Sequence, residues 1–156
     1  MWEQMIALFV VSVLSAFFPL INIEVYIAGL YLLAPTALWT AALVGAIGQT
    51  VGKIVWYYVG AHAQRWPWLA AKMERPAFKT RSEKWRASLA DRQWIAAAVM
   101  FASGLVGLPP LAIMAVVAGH LRMKMWIFVV TVLTGRFLRF AVAMGAAATI
   151  GDWLRR

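Results

Sequence analysis

The chain has no cysteine. That absence removes a disulfide framework, a thiolate metal site and a cysteine nucleophile at one stroke. Histidine is almost as scarce, with only His62 and His120, both beside basic stretches, so no histidine metal centre is read from the sequence. Charge of either sign is sparse: Asp, Glu, Lys and Arg together make up 13% of the residues, against about 25% in soluble domains. Paired acids, a nucleophile with its base, and metal-ligand spacing are all missing, so the expectation is a non-enzyme without cofactor or metal. What fills the chain instead is apolar sequence, 63% of the 156 residues. Composition and length point to one integral membrane domain over 1–156. The formal charge of +9 sits in stretches flanking apolar runs. Anionic headgroups and cytoplasmic retention account for that placement, and nucleic acid is not the expected partner.

Residues 4–18 are a continuous apolar run, interrupted at Pro19 to Asn22 and resumed over 23–33. Neither piece reaches the roughly 20 residues a crossing helix needs. A re-entrant hairpin is one reading, its exposed backbone tolerable only inside protein or a water-filled cavity. A single tilted helix over 4–33 with a kink at Pro19 is the other. The N-terminus carries Glu3 and no Lys or Arg before Lys53, unlike a secretory signal, and is read as mature structure. Residues 37–60 form a span of full length whose Gly45, Gly48 and Gly52 share one face. The Gly48/Gly52 spacing lets another helix approach closely and offers a surface for a second copy of the chain. Lys53 lies beside that face, either snorkelling to the headgroups or serving a site.

Residues 61–92 hold eight Lys or Arg against Glu74, Glu83 and Asp91, which assigns this linker to the cytoplasmic side. Trp85 and Leu89, four apart, suggest an interfacial amphipathic helix over 82–93. A second apolar half follows: 94–102, a break at 103–110 containing Gly104, Gly107, Pro109 and Pro110, then 111–119, a basic loop at 120–124, and a full span over 125–150. Pro19 and the Ala28-Gly29 pair match Pro109 and the Ala118-Gly119 pair at identical spacing. Trp39 and Gly48 likewise match Trp126 and Gly135. The expected architecture is all-α: two inverted repeats at about 4–60 and 93–150, each a re-entrant helical hairpin followed by a full transmembrane helix.

Ionisable groups inside such spans mark function by default. Glu24 follows the first break, and Arg136 lies roughly 16 Å into the last span, near mid-bilayer. Arg139 shares a helix face with Arg136. Asn22, Gln49 and Lys53 complete the candidate substrate or proton site. A permanent ion pair from Glu24 to Arg136 or Arg139, locking the halves together, is the structural alternative.

The order of these features carries a resemblance: a Pro-marked break, an acid, an AG pair, a Gly-rich span near YYVG, then GLPP, AGHLRM and GRFLRF. Over nearly its whole length the chain resembles the VTT-domain proteins of the DedA (SNARE-associated) superfamily, the shorter YqaA-like branch most of all. The resemblance implies re-entrant hairpins in inverted repeats and movement of lipids across the bacterial inner membrane. The implied partners are anionic phospholipid or a polyprenyl phosphate, with coupling to protons. It also assigns Glu24 to the acid of the first hairpin, and Gly104, Gly107 and Pro109 to the Gly and Pro of the second. Larger members carry an arginine-bearing GRFxPxxR pattern where this chain has the uncharged GLVGLPPLA, leaving Arg136 and Arg139 to supply positive charge. The expected function is a lipid translocase or scramblase. A small-solute or ion transporter of the same architecture and a non-transporting assembly protein are the alternatives.

Overall fold

The computed structural model describes residues 2–18, 26, 29, 38–90, 92–108 and 110–154. Pro19, Asn22, Glu24 and Pro109 lie outside the described residues, as do the side chains of Trp85 and Leu89. Seven α-helices and no strand are present among the described residues: α1 (Trp2–Phe17), α2 (Leu38–Ala61), α3 (Pro67–Met73), α4 (Pro76–Ala90), α5 (Gln93–Val106), α6 (Leu111–His120) and α7 (Met125–Leu154).

On α1 and α2 polar residues turn inward while apolar ones face out. On α1 the outward stripe is Trp2, Ile6, Val10 and Leu14, while Ser12 and Ser15 are buried. On α2 Trp39, Leu43, Ile47, Val51 and Val55 face out, and Gln49, Thr50 and Lys53 face in. Water would favour the reverse. Lipid imposes no such cost on an apolar exterior, and association rests on close packing and interhelical hydrogen bonds. In α7, Met125–Ala146 is long and apolar enough to cross a membrane. The 24 residues of α2 also suffice in length, about 36 Å, but its inward polar residues lower its hydropathy. With 16, 14 and 10 residues, α1, α5 and α6 reach about 24, 21 and 15 Å, short of a core of about 30 Å.

Central to the bundle is α2, packed on α1, α6 and α7, while α5 packs on α7. Glycine makes these contacts possible. A Cβ on Gly48 would lie 2.6 Å from Ser12 Cβ and 2.9 Å from the Phe9 carbonyl oxygen, and one on Gly52 would collide with Ala16. The Gly48/Gly52 face is therefore occupied by α1 of the same chain, so a second copy would need another surface. Gly135, the sequence match of Gly48, plays the corresponding part in the second half, its Cβ position 3.0 Å from the Phe101 carbonyl oxygen and 3.3 Å from Gly104 Cα. Gly60 abuts Val116, and Gly119 abuts the Tyr57 carbonyl, bringing α2 and α6 into backbone contact.

The linker departs from the expected single helix over 82–93. It contains a 3-10 turn at Ala63–Arg65 followed by α3 and α4. Pro67 and Pro76 each stand at the first helical position, where a missing N–H costs nothing and the fixed φ favours initiation. These prolines start helices in a stretch too polar to show apolar periodicity.

Candidate functional site

Two apolar clusters divide the bundle. One contains Tyr57, Met100, Leu111, Ile127, Phe128 and Val132. The other contains Leu8, Ala41, Ala42, Ala46, Phe140 and Met144. Along α2 the interval between Ala46 and Tyr57 holds Gln49, Thr50 and Lys53, all buried, facing buried Ser12 and Ser15 of α1. Chain order thus places a polar layer between two apolar plugs.

Its polar groups are tied to backbone wherever a helix leaves carbonyls in reach. Ser12 Oγ donates to the Leu8 carbonyl at 2.7 Å, Ser15 Oγ to that of Ser12 at 2.8 Å, and Thr50 Oγ1 to that of Ala46 at 2.7 Å. Such back-bonding satisfies small hydroxyls inside helices. Gln49 Nε2 donates across to Ser15 Oγ. Lys53, 5% exposed, donates from Nζ to the Ala16 carbonyl at 2.9 Å, and Trp56 Nε1 donates to the same oxygen at 3.2 Å. Lys53 does not snorkel. Its ammonium turns inward to the last turn of α1, where exposed carbonyls favour a cation. Arg136 is half-buried on α7, between Val132 of one apolar cluster and Phe140 of the other, and its Nε is shielded from solvent.

Sequence reasoning placed Gln49, Lys53 and Arg136 in one site, and the fold brings these three to one layer. It separates Arg139 from them. Arg139 reaches the hairpin break, where Nη1 donates to the Leu105 carbonyl at 3.2 Å. The same nitrogen lies 2.6 Å from where a Gly107 Cβ would be. Gly107 closes α5 with φ of 88° and donates its N–H to Ser103 O at 2.8 Å. Pro110 caps the start of α6. Gly104, expected in the break, lies instead within α5, where its small size lets α5 meet Gly135 of α7. The break residues thus shape the hairpin, while Glu24 and Asn22 lie outside the described residues. Among the described residues no group of three His, Asp or Glu gathers for a metal.

The sequence reading missed Ser12, Ser15, Thr50, Trp56 and the Ala16 carbonyl. One signal was available: Ser12, Ser15 and Ala16 form a small-residue face in α1 opposite the small-residue face of α2. The two halves also share a device. Lys53 and Arg139 each come from a long helix and each bind the carbonyl one residue before the end of the short helix packed on it.

The family model described as VTT domain matches residues 18–149. No curated protein and no solved structure matches the chain.

Proposed function

The chain belongs to the VTT-domain family, the membrane-associated DedA or SNARE-associated group, and from that premise we propose that it is a lipid translocase of the scramblase type. The observation that carries this reading is the polar layer, where buried Lys53 and half-buried Arg136 put two basic side chains inside helices with apolar exteriors. An ammonium and a guanidinium together suit a phosphate-bearing headgroup, the guanidinium through paired N–H donors. Gln49 and Ser15 would receive the uncharged polar part. The apolar clusters on either side would seal the layer from each membrane face in turn.

In this reading the architecture is an inverted repeat of two re-entrant hairpins, each followed by a long helix, lying in a bacterial inner membrane with 61–92 cytoplasmic. Its support is the pairing of α1 with α2 and of α5 with α7, the matched contacts at Gly48 and Gly135, and the paired cation devices. Glu24 is the acid of the first hairpin and the proton-coupling group, and the YqaA-like branch is our placement within the family. The cargo is an anionic phospholipid or polyprenyl phosphate.

The test is fluorescent-lipid scrambling in liposomes, with Lys53→Met, Arg136→Ala and Glu24→Gln compared as folded, monodisperse proteins. Wild type is expected to move labelled lipid, and each variant to slow it at least tenfold, the scale of about 1.4 kcal/mol in a barrier. If wild type moves no lipid under an imposed proton gradient, the reading falls and uptake of a soluble cargo is the next measurement.

A further inference from the structure

The linker's described acids lie on one side. Between the linker and the bundle runs a groove of about 210 Å³ lined by Ala63, Ala70, Glu74, Lys79, Glu83 and His120, where His120 is the end of α6. Both acids described between α2 and α5, Glu74 and Glu83, line this groove. A separate open cavity of about 490 Å³ is lined by Lys72, Arg75, Ala77, Phe78 and Arg81, with no acid among them. Lys72 comes from α3, Arg75 from the corner, and Arg81 from α4. The corner is fixed by backbone: Glu74 N–H donates to Ala70 O, and the N–H groups of Phe78 and Lys79 both donate to Arg75 O, each at 2.9 Å. Arg75, Phe78 and Arg81 then recur every third residue along one side of α4.

We propose that this cup, formed where α3 meets α4, is a binding site for the headgroup of an anionic phospholipid in the leaflet on the linker's side, separate from the polar layer. The wall of the cup is almost wholly apolar, made by Phe78, Ala77 and the stems of Lys72, Arg75 and Arg81, and suits the glycerol end. The three basic residues are exposed, and their cationic ends supply complementarity to a phosphodiester. The source is a lipid because the linker is tethered at both ends to bundle helices, by Ala61 and Gln93. Trp66, Trp68 and Trp94 are all exposed beside those tethers, the placement of indoles at headgroup level. A lipid held here fixes α3 and α4 against the membrane surface, while the acidic groove faces the bundle. The proposal requires membrane residence and not transport.

Native mass spectrometry of the full chain, drawn from mixed micelles of phosphatidylglycerol and phosphatidylcholine, tests it. Wild type is expected to retain phosphatidylglycerol preferentially, and Arg75→Gln with Arg81→Gln to lower that preference at least tenfold, given the attraction of each basic residue to anionic lipid. Arg65→Gln with Arg92→Gln removes equal charge elsewhere on the linker and should change it less than twofold. Repeating both double variants in an Arg136→Ala background removes any contribution of the polar layer and should leave the difference between them as in wild type, so a failed transport reading leaves this result standing. A photoactivatable phosphatidylglycerol on wild type should label residues 72–81, a readout that needs no variant. No lipid preference in wild type, equal loss in both double variants, no labelling of residues 72–81, or displacement by millimolar inorganic phosphate would each overturn the proposal, the last by making this a free-anion site.

Discussion

The last turns of α1 and α5 set the same problem and receive different cations. Each short helix ends inside the bundle with carbonyls that lack helical partners, and in a low-dielectric interior each needs a donor. At α1 the answer is Lys53, buried beside Gln49 and Ser15, with Trp56 sharing the Ala16 oxygen. At α5 it is Arg139, half-buried, its guanidinium lying on Gly107. A planar guanidinium fills a fixed notch, whereas an ammonium on a flexible stem is a movable point charge. In the second half the cation serves shape; in the first, the proposed function gives it a ligand.

The packing beneath these ends sharpens the contrast and gives the largest expected effect. In the first half a Cβ at Gly52 has no room against Ala16, while in the second a Cβ at Gly104 would stand 3.4 Å from Gly135 Cα, an ordinary contact. Gly52→Ala should cost up to about 3 kcal/mol through overpacking. Gly104→Ala should be near neutral, since alanine recovers about 1 kcal/mol of helix propensity. Thermal unfolding in detergent measures both. Equal losses would mean that the halves are equally tight and the comparison is misdrawn.

Exchanging each cation for methionine comes next. Arg139→Met leaves the Leu105 carbonyl without its cation and Gly107 without its cover, a loss of about 2 kcal/mol. Lys53→Met removes a buried charge, often neutral or stabilising when packing is kept, and leaves Trp56 Nε1 on Ala16 O. It should unfold no earlier than wild type while scrambling lipid at least tenfold more slowly. If Lys53→Met unfolds as Arg139→Met does and transport follows only the folded fraction, both cations are structural.

Trp56 provides a smaller effect on the same oxygen. Trp56→Phe alone should cost about 0.5 kcal/mol, since Lys53 still satisfies Ala16 O. Combined with Lys53→Met it leaves that carbonyl orphaned, so the double variant should lose about 1 kcal/mol more than the two singles together. Additive losses would place another donor at Ala16.

Much of this arrangement was legible because glycine, proline and charge are conspicuous in apolar sequence. A break in the second half followed from Gly107 and Pro110, but it is shorter than the expected 103–110: α5 runs on to Val106 with Gly104 inside it, packed on Gly135. The spans expected at 37–60 and 125–150 are α2 and α7, at Leu38–Ala61 and Met125–Leu154. Arg136 could be placed by its depth in the last span, whereas Gln49 and Lys53 were candidates only as polar groups suited to a hydrophilic cargo. Depth says nothing about direction, however, and that is why Arg139, one turn from Arg136, was placed in the layer although its side chain runs to the break. The same blindness hid Lys53's acceptor: a backbone carbonyl has no sequence signature, and Ala16 is an ordinary alanine until Gly52 lets α1 come close. In the linker, few apolar residues meant no periodicity, so α3 and the start of α4 passed as loop.

The smallest effect concerns the two left-handed residues that close the helices of the second hairpin. Gly107 ends α5 with φ of 88°, and Arg122 follows α6 with φ of 52°. The end of α6 is a Schellman turn, with Met123 N–H on Ala118 O and Arg122 N–H on Gly119 O, both 3.0 Å. Glycine relieves the left-handed cost of roughly 1–2 kcal/mol borne by an L residue, but returns about 0.5–1 kcal/mol through the freedom of the unfolded chain. Arg122→Gly should therefore stabilise by about 0.5 kcal/mol, a slight rise in unfolding temperature. Gly107→Ala should do the opposite, since it adds left-handed strain and presses on Arg139. Arg122 is exposed, and nothing in the fold requires an arginine at this left-handed position. If Arg122→Gly lowers the unfolding temperature, the arginine side chain itself holds the turn, and the strain at this helix end serves packing as it does at Gly107.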